Sequence, residues 1–354
     1  VETQITGYQK LHKQVQRMLL LQSELKWLNM EAIRLAYEDM KRIEGFDAVK
    51  YLPILTELEQ QVKQGFGNIY SGDEAVLVNA EKAVANKRAI LLANPLLNGD
   101  KILTVRYQLG NRDRRAMAPE LGTQSNNWSN QESARRKGFN ADIVELSNLR
   151  DEVQIRTIYK PDNTSSIADL KLHWDGDRAM FTQTMSDNRW NVFEVKLNNG
   201  DCKKLIDNPE PDLEFYDGTY LPDGRIIANS NIGYQGVPCV NGSDPVGNMV
   251  LYTPQSKNLR RLTFDQDANW NPVIMNNGRV MYTRWEYTDL THYYTRIVMN
   301  MNPDGTEQKA LYGSGSMFPN STFDVQPLPG YASAFVGIIS GHHGVARSGR
   351  LILF

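Results

Sequence analysis

Tyr220-Leu221-Pro222-Asp223-Gly224-Arg225-Ile226-Ile227-Ala228 reads as the end of one strand, a tight turn and the start of the next. Asp-Gly suits a type I′ hairpin turn, where both central residues need positive φ. The same punctuation recurs as Asp175-Gly176-Asp177-Arg178 and Asn276-Asn277-Gly278-Arg279, and Pro329-Gly330 takes a fourth place. An apolar strand follows each turn: Ala179-Met180-Phe181, Ile226-Ile227-Ala228, Val280-Met281-Tyr282 and Phe335-Val336-Gly337-Ile338-Ile339. A loop then leads to a third strand, at Trp190 to Leu197, Met249 to Thr253, Arg296 to Met301 and Leu351 to Phe354. A polar turn and a fourth strand follow, ending Lys203-Lys204-Leu205, Arg260-Arg261-Leu262 or Lys309-Ala310-Leu311.

Four antiparallel strands repeating every 50 residues or so are the signature of a β-propeller blade, a WD40-like repeat. One blade cannot bury both its faces, so neighbours must stack around an axis. The expected fold is mainly β: a propeller of four-stranded antiparallel blades over 141–354, preceded by an N-terminal α-helical segment. Three full blades and one without its outer strand fit that span. Asp142 to Leu146 and Gln154 to Tyr159 are expected to be outer strands that close a blade with strands from the far end of the chain. About four blades plus closing strands make a partial propeller, and the stop at Phe354 suggests further blades.

Upstream the period changes. Leu11, Val15, Met18, Leu19, Leu25 and Leu28 recur near 3.6 residues, so 1–95 is read as helical. Asp47 is placed to cap a helix from Ala48 to Gln64 that Gly65 and Gly67 end. Asp73 is placed to cap another from Glu74, stopped at Asn94-Pro95. The stretch 96–140 is an irregular connector with a first strand, and its basic clusters read as a solvated face.

The 354 residues are 41% apolar and 23% charged, ordinary globular values. A net charge of -2 offers no field to hold a phosphate backbone, so no nucleic acid is expected. Two cysteines cannot make a disulfide framework. No run approaches the roughly 18 apolar residues of a transmembrane segment. The opening Val1-Glu2-Thr3-Gln4 lacks an initiator Met, which fits a processed or partial chain whose targeting segment is not present.

In a propeller all loops between second and third strands open on one face. That face gathers Tyr234, Gln235 and Cys239 from one blade, Trp285, Glu286, Tyr287, Asp289 and His292 from the next, and His342, His343 and Arg347 from the last. Asp267 and Trp270 join them from an inter-blade loop. Cys239, His342, His343 and His292 form the ligand set that zinc or a haem iron would choose. Each also has a plainer reading, Cys239 as a buried thiol and the histidines as loop or rim residues. Glu286, Asp289 and Asp267 are the candidate catalytic carboxylates, while Tyr234, Gln235, Cys239, Trp270, Trp285, Tyr287 and Arg347 form the candidate ligand-binding face. No phosphate loop, no Gly-x-Ser-x-Gly elbow and no Cys-x-x-Cys-His stands in the chain, so no c-type haem is attached within this segment.

Several motifs in order resemble one family. They are Tyr220-Leu221-Pro222-Asp223-Gly224-Arg225-Ile226, Gln235-Gly236-Val237-Pro238-Cys239, Leu262-Thr263-Phe264-Asp265-Gln266-Asp267, Asn276-Asn277-Gly278-Arg279-Val280, Arg284-Trp285-Glu286-Tyr287-Thr288-Asp289, Met301-Asn302-Pro303-Asp304-Gly305-Thr306 and Ser340-Gly341-His342-His343-Gly344-Val345. Together they are similar to the middle-domain family of hydrazine synthase alpha subunits, over about 90–354 and most specifically 216–354. The resemblance implies a bacterial, extracytoplasmic propeller and a longer chain. It also implies a zinc ion beside a c-type haem, with Cys239 at the position matching the zinc cysteine. The first functional expectation is a ligand- or partner-binding scaffold module, its partners being the remaining blades, a C-terminal domain or other subunits. The alternatives are a metal- or haem-dependent redox enzyme and a carboxylate-dependent hydrolase.

Overall fold

A computed structural model describes residues 2–97, 99, 101–107, 136–137, 140–150, 152–162, 165–238, 241–286, 296–315, 321–341 and 349–354. The chain divides into two compact units, one of 1–102 with 146–154, the other of 103–145 with 155–354.

The first unit holds helices α1 (Glu2–Lys26), α2 (Met30–Met40), α3 (Ala48–Gln64) and α4 (Glu74–Leu91). Asn29, Asp47 and Asp73 cap α2, α3 and α4, each side chain accepting from an amide of the first turn, as at Asp47 Oδ1 from Lys50 N, 3.0 Å. Gly65 stops α3 at φ 75. Leu58, Ile33, Tyr37, Leu55 and Ala83 form one core, and Met18, Leu21, Leu77 and Ala80 a second. The segment 146–154 belongs here because Arg88 Nη2 donates to Leu149 O at 2.7 Å.

The second unit is a propeller of five antiparallel blades. The first is β1 (Lys101–Arg106), β2 (Asp142–Ser147) and β3 (Gln154–Tyr159); the second is β4 (Ile167–Leu172), β5 (Arg178–Thr184), β6 (Trp190–Lys196) and β7 (Cys202–Lys204). The third is β8 (Phe215–Tyr220), β9 (Ile226–Ser230), β10 (Asn248–Thr253) and β11 (Asn258–Arg261). The fourth is β12 (Asn269–Ile274), β13 (Val280–Trp285), β14 (Arg296–Met301) and β15 (Lys309–Tyr312). The fifth is β16 (Thr322–Pro327), β17 (Phe335–Ile339) and β18 (Arg350–Leu353).

A separate apolar layer glues each successive pair of blades. Ile143 and Ile158 meet Ile167 and Phe181; Met180 and Val192 meet Phe215 and Val250; Met249 and Leu251 meet Tyr282 and Met299; Met281 and Val298 meet Val325 and Phe335. This is why a blade needs its neighbours: both faces of its sheet are hydrophobic.

Two expectations change. The strands expected to close the ring with the far end of the chain pair instead with β1, in the order β1-β2-β3. Leu103 and Val105 on β1 pack in the same cluster as Ile143 and Ile158, so the connector's first strand completes a blade of its own. The hairpin turns are also not type I′. Gly224 N donates to Leu221 O and Leu221 N to Arg225 O, with only Gly224 at positive φ (84°). That is a type I turn closed by a left-handed glycine, and Gly176 and Gly278 repeat it. Pro222 was the signal, since its ring fixes φ near −65° where type I′ needs a positive value.

Candidate functional site on the axis and loop face

Each of four inner strands carries a β-bulge at the same place, between Ala168 and Lys171, Tyr216 and Thr219, Trp270 and Val273, and Phe323 and Gln326. The bulge residue is Asp169, Asp217, Asn271 or Asp324, all at φ between 49° and 53°. Asp and Asn tolerate this left-handed conformation better than other side chains. The bulges turn these side chains toward the axis, where they line a cavity of about 390 Å³ together with Thr104 and Lys171. A second cavity of about 410 Å³ continues toward the hairpin turns, past Trp174, Tyr220 and Ile274.

The polar groups of the axis hold one another. Asp217, more than nine-tenths buried, accepts from Lys171 Nζ (2.9 Å), Asn229 Nδ2 (3.2 Å) and Asn271 N (2.5 Å). Lys171 Nζ also donates to Pro272 O at 3.0 Å, and Asn271 Nδ2 to Val325 O at 3.2 Å. Blades two to five are thus tied in sequence around the axis.

On the loop face, the loops of three blades share a buried floor. Trp270 stacks on Trp285 at 6.0 Å and meets Phe323 at 5.9 Å, and Val237 and Val246 of the third blade's loop join them. The Arg296 guanidinium is fully buried, 4.9 Å from the Trp285 ring and 5.5 Å from Phe323. Arg284 bridges Asp265 (Nη1, 3.0 Å) and Glu286 (Nε, 2.5 Å). Burial, with Asp265 nearby, pushes the Tyr282 hydroxyl well above its ordinary range. The loop 231–248 folds back on itself, since Val237 N donates to Asp244 O and Val246 N to Gln235 O, each at 2.8 Å. Gly236 permits this: a Cβ there would lie 2.5 Å from Gly242 Cα.

Of the residues singled out in the sequence, Tyr234 is exposed, at φ 50, and Gln235 is exposed beside it. Trp270, Trp285 and Asp267 are buried. Glu286 is half-buried against Arg284. Cys239, Tyr287, Asp289, His292, His342, His343 and Arg347 lie outside the described residues. The zinc implied by the family resemblance therefore has no described thiolate. The described carboxylates of this face, Asp265 and Glu286, spend their charge on Arg284.

One group went unnoticed in the sequence. Ligand atoms of His173, Asp175 and Asp177 lie within 4.8 Å of one another, the one such group among the described residues. Arg178 sits among them, with Nη2 2.7 Å from His173 Nε2 and Nη1 2.7 Å from Asp177 and 3.4 Å from Asp175. A guanidinium only donates, so it takes the lone pairs a cation would use. The spacing His-x-Asp-x-Asp across a hairpin turn was the available signal.

No model of a known protein family matches the chain, and no curated protein does. Solved structures of similar shape include the hydrazine synthase of Kuenenia stuttgartiensis, at 10% identity and a TM-score of 0.49 over 72% of this chain and 37% of that one. TolB from Acinetobacter baumannii follows at 10% identity and 0.45, over 77% and 59%. An oligogalacturonate lyase from Vibrio parahaemolyticus stands at 14% and 0.40, over 68% of each chain. The chain spans about a third of the synthase and three fifths of the TolB it matches. The propeller itself stands on the strand order above.

Proposed function

We propose that this chain is a ligand- or partner-binding scaffold module of a larger extracytoplasmic protein or complex. Its binding site is the loop face around Tyr234, Gln235, Cys239, Glu286 and His342. The observation that carries this reading is the shared floor of Trp270, Trp285 and Phe323 beneath the loops of three blades. A rigid scaffold presenting clustered loops is how propellers and barrels commonly bind. Relationship to the middle domain of hydrazine synthase alpha subunits is part of the proposal, resting on the motifs from 216 to 354. No helix among the described residues is long and apolar enough to cross a membrane.

Site-specific photo-crosslinking in the native host tests this. A crosslinker at 234 or 286 is expected to give one discrete protein adduct, and one at Arg42, exposed on the helical unit, none. Equal labelling from all three positions would remove the loop face as the binding site.

A further inference from the structure

The third strands of the three complete blades are almost wholly buried. Every residue of β10 but the last is buried, and every residue of β14. In each case an outer strand, β11 or β15, hydrogen-bonds along the far side. The third strand of the fifth blade is different. Along β18, Leu351 is 72% exposed and Leu353 67%, and among the described residues no strand pairs with its outer side.

The edge is nevertheless well ordered. Phe354 N donates to Phe335 O at 2.8 Å and Phe335 N to Phe354 O at 3.1 Å, and the two rings stack 4.8 Å apart. Hydrogen-bonded pairs alternate along an antiparallel ladder, so Ile352 and Arg350 also face β17. The backbone N–H and C=O of Leu351 and Leu353 therefore point outward. These are the same two residues whose side chains are exposed. A straight edge with apolar side chains and free backbone groups is a template for another strand.

The sibling blades show what fits there. Their outer strands, Cys202–Lys204, Asn258–Arg261 and Lys309–Tyr312, are three or four residues long. Each mixes basic residues with aliphatic ones, and Leu205, Leu259 and Leu311 pack inward against the blade interfaces. We propose that the outer edge of β18 takes a fourth strand in trans. The occupant is an extended segment of a partner protein, antiparallel to β18, with leucine-like residues alternating with basic or polar ones. This goes beyond the loop-face reading and does not depend on it.

The probe is a fluorescent peptide copying residues 256–263, Ser-Lys-Asn-Leu-Arg-Arg-Leu-Thr, titrated against the full chain and followed by anisotropy. Saturable binding is expected. N-methylation of alternate peptide nitrogens should weaken it at least tenfold in one register and leave it unchanged in the other, because only one set faces β18. Leu351→Pro removes an outward N–H without touching the ladder to β17, and should weaken binding to the same degree with an unchanged melting temperature. If that variant melts early, the N-methylated pair still decides. No saturable binding, or equal binding by both N-methylated peptides, overturns the proposal. Crosslinks from 234 and 286 should survive Leu351→Pro, so the two readings fail separately.

Discussion

The carboxylate of Asp217 accepts a hydrogen bond from the backbone N–H of Asn271, 2.5 Å away on the next inner strand. The two occupy the same bulge position in adjacent blades, at φ 50° and 51°. The same carboxylate takes the Lys171 ammonium from the blade before, so one side chain links three blades.

Asp217→Asn keeps a residue that tolerates the left-handed backbone but removes the charge. Lys171 would then be left buried without its counter-ion, the costly way to break an internal pair. Unfolding stability measured in urea is expected to fall by about 3 kcal/mol. A loss below about 1 kcal/mol would mean that the network adds little beyond the apolar layers.

The loop-face floor makes a second expectation. Arg296 is held between the Trp285 and Phe323 rings with its stem buried. Arg296→Met keeps much of the apolar stem and deletes the cation–π contacts, worth about 2 kcal/mol for a desolvated pair. The melting temperature should drop by about 4 to 8 °C, and tryptophan emission should shift as the Trp270–Trp285 stack loosens. A variant with unchanged melting and emission would show that the stack stands without the cation.

Much of this architecture was legible because its signals are local. Asp223-Gly224-Arg225 and its repeats mark hairpins, and the apolar triplets after them mark second strands. The axis was not read, although it repeats as regularly. Asp169 precedes Gly176 by seven residues, Asp217 precedes Gly224 by seven, and Asn271 precedes Gly278 by seven. A polar residue inside a strand looks like the solvent side of an alternating pattern. Only the bulge, a register change invisible in a list of side chains, turns it toward the centre. The first blade was misjudged for a related reason. Lys101–Arg106 stands far from Asp142 in sequence, and nothing local announces that they pair. On the loop face, the sequence brought Trp270 and Trp285 together correctly, but burial makes them a floor. Asp265, bound to Glu286 through Arg284, was noted for its position alone, since an ion pair across blades leaves no spacing rule.

The last expectation concerns alkaline pH. Burial pushes the Cys202 thiol up to about 11 from an ordinary value near 9, against a hydrogen bond with Tyr159 that lowers it. The folded chain therefore holds this proton more tightly than the unfolded chain. Its contribution to stability is whole below about pH 9 and is lost as pH rises from there toward about 11. Burial also raises the hydroxyls of Tyr159, Tyr220 and Tyr282, but an unfolded tyrosine begins to lose its proton only near pH 10. The interval between about 9 and 10 therefore reports mainly on the thiol. Urea midpoints measured across it in a Cys239→Ser background should decline with pH, and the further change Cys202→Ser should flatten the decline. If the slope persists without the thiol, the tyrosines or another group carry the alkaline instability, and Cys202 titrates in the fold much as it does in the open chain.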